Sequence, residues 1–386
     1  MQLVSSRRQE RTTSPLSSNS QYREERTRIM KKYLIAAASL SVLGMASAHA
    51  QVFPSADGNN SAQIGQTGNN NRAEIDQAVG GVINGQNLAV IQQNGNRNDA
   101  RVTQTSATSP MAAGFANDAT ITQTRARGLA TIDQIHDYAR TRVNTATIVQ
   151  NTPDATANID QRGDRLTAVV RQLNTSVAPV ANVKQNGTFN TARVFQRGAN
   201  GNVDIRQGTF SAGPGVSPDM SRGTVEVNNN GANAIIKVSQ IGTGHIANVA
   251  ENGLNGLIDI SMEGQFNNAS VIQESSNGTV RIFSSPSSFF NNVNVNQLTG
   301  DNGSTAFVSQ GGSFATADIE QGPQLGLSGN NLADVIQTGS GVTATSIYSD
   351  ILQSGANNTA FVNQAGSYAI SGIFQYGAGH TANVSQ

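Results

Sequence analysis

The chain has no cysteine and no tryptophan, and only 13% of its residues are charged and 5% aromatic. Without cysteine there is neither a disulfide framework nor a thiolate metal site. The scarcity of leucine and aromatics argues against the two or three globular domains that 386 residues would ordinarily suggest. Charge of either sign is also lacking in excess: 25 Lys and Arg meet 25 Asp and Glu. A nucleic-acid binder would be more basic and would cluster its lysines, so no specific nucleic-acid partner is expected. The balance is uneven, however. Residues 51–210 carry 14 basic and 11 acidic side chains, and residues 211–386 carry 3 and 11. Gly, Asn, Gln, Ser, Thr and Ala fill the remaining space, a composition that by itself reads as low-complexity disorder.

A strict repeat excludes disorder, which needs no register. A five-residue pattern, small-or-branched, x, Ile/Val, x, Gln, returns 26 times between Ala62 and Gln386, mostly 11 residues apart. The central Ile or Val is present in all 26 units and the closing Gln in 22, with Asn229, Glu251, Met262 and Ser284 in the other four. Alternation of the fixed residues predicts a strand with Ala, Ile/Val and Gln on one face. The best units read Gln-x-Gly-x-x-Asn-x-Ala-x-Ile/Val-x-Gln, as in 66–77, 93–104, 185–196 and 353–364. Gly68, Gly95, Gly187 and Gly355 supply positive φ for the turn, and the following Asn tolerates the left-handed region and bonds its local backbone. An 11-residue unit is then a strand plus a turn. A short fixed period marks a solenoid, so the expected fold is all-β: a β-solenoid of two-strand, 22-residue coils, about thirteen of them.

In such a stack each residue lies above its own copy. Ile64, Ile75, Val102, Val194, Val362 and Val384 are expected to line an apolar seam. Gln66, Gln77, Gln93, Gln104, Gln185, Gln196, Gln364, Gln375 and Gln386, with Asn71, Asn98, Asn190 and Asn358, are expected to form amide ladders. Each amide would donate to and accept from the copy one coil away, offsetting the cost of burying it. The outward positions drift freely, from Glu74 and Asp76 to Arg193 and Phe195. Large gaps between units in the first half follow even-numbered units, which places the insertions on one edge. The gap between Gln321 and Gln337 breaks that rule.

Catalytic and metal chemistry finds no support in the motifs. His245 and His380 occupy the Asn slot of the turn, and His136 is read as part of a turn insertion; none has a partner at ligand or triad spacing. The acids Asp133, Asp160 and Asp318 fall on outward positions. The Gly-x-Gly pieces belong to repeat turns and lack a nucleotide-site context, and the calcium-binding nonapeptide is absent. Arginines such as Arg97, Arg101, Arg193 and Arg206 are read as a solvated face balanced by nearby acids; contact with acidic polysaccharide or extracellular DNA is the alternative. An ice-binding face would need an outward Thr array, and Thr120 with Thr122 forms the only outward Thr pair on one strand. No enzymatic activity and no cofactor are expected.

Residues 1–29 are polar and Arg-rich, and are read as an extension ahead of a start expected at Met30, or as a disordered segment. Met30-Lys31-Lys32, an apolar run from Tyr33 to Met45, and Ala48-His49-Ala50 have the form of a signal peptide over 30–50, cleaved after Ala50. The run is too short to span a bilayer. The predicted mature chain has 17 basic and 22 acidic residues, a net charge of −5, and no membrane span. Residues 51–60 are expected to be a disordered segment, 61–207 and 224–386 two solenoid halves, and 208–223, with Pro214 and Pro218, a loop between them. The last unit runs to Gln386 without a polar cap, where an exposed strand edge is expected to template a further copy.

Repeated in tandem behind a leader, the motif Gln-x-Gly-x-x-Asn-x-Ala-x-Val-x-Gln resembles the curlin repeat of bacterial curli subunits, over nearly all of 61–386. The resemblance implies a secreted subunit passed unfolded through an outer-membrane channel and nucleated at the cell surface. It further implies a homopolymer, an extracellular amyloid fibre of the biofilm matrix that adheres to polysaccharide or host matrix. The chain departs from the family in carrying about thirteen 22-residue repeats instead of about five, in units that have lost the closing Gln and in its turn insertions. Residues 51–60, with Val-x-Pro and Gly-Asn elements, are similar to the family's secretion-targeting segment. A soluble, monomeric β-solenoid adhesin or ligand-binding surface protein is the alternative reading; a β-helical glycan-active enzyme, which would need a cross-coil acid cluster, is a second rival.

Overall fold

In a computed structural model the described residues are 49–53, 60–79, 85–106, 114–136, 143–173, 177–208, 222–323, 329–338, 347–366 and 368–386. They form 27 strands, from β1 (His49–Phe53) to β27 (Thr381–Ser385), and no helix. The odd-numbered strands make one 14-stranded sheet and the even-numbered strands one 13-stranded sheet. Successive strands therefore alternate between two sheets, and every strand pairs in parallel with the strand two places away. This is the predicted β-solenoid. One strand per coil in each sheet gives the 13 coils of β2 (Ser61–Thr67) to β27, roughly 60 Å at ~4.8 Å per coil.

The register follows the repeat. Ala73, Ile75 and Gln77 face Ala100, Val102 and Gln104, and Ala360 and Val362 face Ala382 and Val384 at the other end. A single-residue slip would turn the whole inner set outward, and pairing keeps one slot per level throughout. Ile75, Ile91, Val102, Ile121 and Val194 are all fully buried; each contributes roughly 1.5–3 kcal/mol by leaving water. Among the residues whose burial is described, only the seam residues of the first and last coils of the repeat, Ala62, Ile64, Ala382 and Val384, are partly exposed.

Several strands exceed the five residues of the repeat. β7 (Leu129–His136) runs two residues past Gln134, because Ile135 and His136 go on pairing with Thr105 and Ser106 of β5 (Asp99–Ser106). The long connections after Gln77, Gln104, Gln134 and Gln207 all leave the 14-stranded sheet, and the one after Gln321 leaves the other. Both sheets pass the 208–223 segment unbroken: β12 (Thr191–Gln196) pairs with β14 (Thr224–Asn229), and β13 (Asn202–Gln207) with β15 (Ile235–Thr243). Of the expected loop, 209–221 lies outside the described residues. So does the segment expected to be a leader, up to Ala48, while Ala50 and Gln51–Phe53 lie in β1, paired with β3 (Arg72–Val79).

The turn differs in one detail from its sequence reading. Gly68, Gly95, Gly187 and Gly355 have φ of 104°, 148°, 103° and 133°. The second left-handed residue is the one before the motif Asn: Asn70, Arg97, Phe189 and Asn357 have φ of 57°, 59°, 63° and 57°. The Asn itself is buried (Asn71, Asn98, Asn190, Asn358), freed from the backbone role and used for hydrogen bonding. Gly355 tolerates no side chain, since a Cβ there would stand 1.8 Å from the Gly377 carbonyl oxygen. Gly355→Ala should destabilise the last coils by about 1–3 kcal/mol. Gly311→Ala, where a Cβ meets nothing nearer than 3.8 Å, should be tolerated; amide-exchange protection of the two variants compares them directly.

Candidate functional site: axial amide ladders and outer faces

The closing glutamines of each sheet stack along the solenoid axis with their side chains hydrogen-bonded in series. In the 13-stranded sheet Gln66 Nε2 donates to Gln93 Oε1 at 2.6 Å, and the series continues through Gln123, Gln150, Gln172 and Gln196 at 2.8–2.9 Å. It resumes from Gln273 through Gln297, Gln321 and Gln353 to Gln375 at 2.8–3.1 Å. In the other sheet Gln77, Gln104, Gln134, Gln161, Gln185, Gln207 and Gln240 are linked at 2.8–2.9 Å. Gln310, Gln337 and Gln364 follow at 3.0 Å. All of these amides donate toward the C-terminal end.

The second N–H of most of these amides ties the two sheets together. Gln150 Nε2 donates to the Leu129 carbonyl at 3.0 Å, Gln185 to Thr167 at 3.1 Å, Gln353 to Leu332 at 3.0 Å and Gln386 to Ile370 at 3.1 Å. The amide thus serves as axial rung and inter-sheet tie at once, which no apolar side chain at the strand end could do.

The motif asparagines bond differently from the expected amide-to-amide ladder. Asn71 Oδ1 accepts from the backbone N–H of Asn98 at 3.0 Å, and Asn98 Oδ1 from Gly128 at 2.9 Å. Asn190 accepts from Gly223 and Asn358 from His380, at 2.9 and 3.1 Å. Their Nδ2 groups donate to turn carbonyls, Asn71 to Gly95 at 2.8 Å and Asn358 to Gly377 at 3.1 Å. At these four positions the side chain reaches the tight turn backbone and not its own copy, whereas Asn87, Asn117 and Asn144, in the same slot of other coils, do bond amide to amide, at 3.0 and 3.2 Å. Asparagine-to-asparagine series do occur elsewhere: Asn200, Asn233, Asn255, Asn277 and Asn302 link at 2.8–3.1 Å on an exposed turn edge. Four of them occupy the left-handed slot, a signal the sequence carried in the x before the motif Asn.

Other columns were also missed. Phe266, Phe290 and Phe314 stack with ring centroids 5.0 and 5.3 Å apart. Arg165 and Arg222 both lie over the Phe189 ring, at 4.4 and 5.1 Å. Thr145, Thr167, Thr191 and Thr224 stand in register on successive strands, a column that appears only when the residue before Ala is followed across coils. His136 is not in a turn: it ends β7, buried, with Nε2 3.4 Å from Asp164 Oδ1 and with Ser106 as its register neighbour. Acids also pair across coils: Asp133 faces Asp160 and Asp318 faces Asp350. Burial first, then the neighbouring acid, raises the Asp133 and Asp350 carboxyls. Arg281 over Phe307 at 5.9 Å, with Phe283 and Asp334, lines a shallow outer depression of about 280 Å³. Among the described residues no group of three or more His, Asp or Glu is placed to hold a metal ion.

Both ladders stop in the same stretch of the stack. Asn229 and Glu251 interrupt one, Met262 and Ser284 the other, all fully or nearly fully buried. Burial pushes the Glu251 carboxyl up to about 8, the N–H of Gly253 acting against it, and burial lowers the imidazole of His245.

No protein-family model matches the chain, and no curated protein matches it either.

The ladder makes a sharp prediction. Gln150→Leu would leave Gln123 Nε2 without an acceptor, Gln172 Oε1 without a donor and the Leu129 carbonyl without its tie. Each orphan costs about 1–3 kcal/mol. A substitution of similar size at the outward neighbour, Val149→Leu, should be nearly silent. Urea denaturation of the two variants measures the difference.

Proposed function

We propose that this chain is a secreted structural subunit that assembles into curli-like extracellular amyloid fibres serving cell adhesion and the biofilm matrix. The observation that carries the reading is the axial repetition of the inner face. Seam and amide ladders run along the stack with one slot per level, and the seam residues of both terminal coils, Ile64 and Val384, are only partly buried. β1 and β27 end one sheet and β2 and β26 (Ile370–Ala378) the other, each with a single neighbour among the described residues. Such edges accept further strands, and a second copy offers the same register. The curlin resemblance of 61–386 supplies the other support, and the leader of 30–50 supports export through the cell envelope. In this reading a nucleator, an outer-membrane channel and a polysaccharide or host matrix are the partners, and the reaction catalysed is none beyond assembly.

Dilution of the chain from denaturant, with and without preformed seeds, tests this by thioflavin-T fluorescence, electron microscopy and fibre diffraction. The expected result is a lag abolished by seeding and fibres with a ~4.8 Å meridional spacing. Val384→Pro, which disrupts the last strand, should slow elongation several-fold. A stable, monomeric, β-rich species without fibres would overturn the proposal in favour of a soluble solenoid adhesin.

A further inference from the structure

The interruption of the 13-stranded ladder at Glu251 has a specific chemistry. Glu251 closes β16 (Ile246–Glu251) in the slot that glutamine fills elsewhere, and it is completely buried. Its Oε1 accepts from the Gly253 N–H at 2.8 Å. Its Oε2 is buried without any partner, and so is Oε1 of Gln273, the residue facing it in register on β18 (Asn268–Gln273). Two orphan acceptors thus adjoin on neighbouring rungs. What the axial bond between them lacks is one hydrogen, the one that an amide Nε2 directs at the next rung and a carboxylate does not carry; the sideways tie made by the amide's second N–H has no counterpart at Glu251.

We infer that Glu251 is a proton-operated rung: protonated on Oε2 it donates to Gln273 Oε1 and extends the ladder that begins at Gln273 by one rung, up to the break at Asn229, and ionised it opens the stack there. The carboxylic acid is then the stand-in for an amide, O–H for N–H, with Oε1 still accepting from Gly253. Loss of the proton to solvent leaves a buried charge facing a carbonyl oxygen, both unpaired.

Among the described residues the neighbourhood offers no other charge to offset this. At its own level the flanking strands present Asn229 and Gln273, and the opposite sheet presents Gln240 and Met262. Glu226, Lys237 and Asp259 point outward from β14, β15 and β17 (Leu257–Gln265), and Glu263 lies past Met262 on that strand. Glu274, in the next turn, accepts from Thr299 Oγ1 at 2.6 Å. His245, at the far end of β16, has Nε2 3.1 Å from the Ile241 carbonyl. The sign of the effect follows from the raised carboxyl pKa of the folded state, about 8 against 4.5. The contribution is fully present below the unfolded value and falls as pH rises to the folded one, so the coil closes in acid and loosens in mild alkali.

Amide exchange of residues 246–273 in the full chain, corrected for intrinsic rates, tests this from pH 5 to 9. The opening equilibrium should rise about tenfold per pH unit up to pH 8, one proton per opening. In Glu251→Gln, which restores the residue of the repeat, it should be flat, and in Glu226→Gln, an outward acid, unchanged from wild type. The infrared carbonyl band of a protonated carboxylic acid should persist at pH 7 in wild type and vanish in Glu251→Gln. A flat wild-type profile, an equal slope in Glu251→Gln, loss of the slope in Glu226→Gln, or no such band at pH 7 would each overturn the assignment.

Discussion

A primary amide is costly to bury unless its two N–H hydrogens and its carbonyl find partners, and that cost governs the architecture of this chain. A glutamine at a strand end meets it in one way here: accept from the copy below, donate to the copy above, and donate sideways to the carbonyl of the facing sheet, as Gln150 does with Gln123, Gln172 and Leu129. Such bonding is possible only if identical slots lie one strand spacing apart, which fixes parallel pairing, register and a two-sheet coil together. The apolar seam adds free energy, but Ile and Val tolerate slippage and exchange that the amide does not. Scarcity of leucine and aromatics is then no deficit, because stacked polar side chains take the place of a bulky core.

The same requirement explains why the ladder's interruptions matter more than the insertions. A long connection such as the one between Gln207 and Thr224 leaves both sheets continuous, since the strands on either side pair as though it were absent. Replacing Gln at four buried slots within 229–284 cuts both ladders without altering a single strand. The solenoid is consequently continuous in backbone and segmented in side-chain bonding. The segment so weakened lies within the acidic half of the chain, where few cations are at hand to compensate a buried carboxylate.

Much of this was legible in the sequence because the period is short and the inner residues alternate. Ala73, Ile75 and Gln77 declare an inner face without any other information, and the 11-residue spacing places the next strand. The turn was half legible: Gly68 announces positive φ, but the second left-handed position takes Arg97 or Phe189 as well as the more frequent Asn, so residue type marks it only in part. Cross-coil columns were hidden for a geometric reason. Thr145, Thr167, Thr191 and Thr224 are separated by 22, 24 and 33 residues, and insertions of different lengths remove the fixed offset by which such a column would be found. His136 was missed because extended pairing beyond Gln134 is decided by its neighbour strand and not by its own repeat.

The uniform direction of the glutamine series has a last consequence. Every Nε2 donates toward the C-terminal end, so a cut across the stack at any intact level leaves bare N–H groups on one surface and bare carbonyl oxygens on the other. The two surfaces are complementary to each other and repulsive to themselves. The aligned amide dipoles give the column an electrical polarity, and with it a vectorial sense. Two such stacks can join with that sense preserved, whereas joining them in opposition would press donor on donor or acceptor on acceptor across both ladders at once.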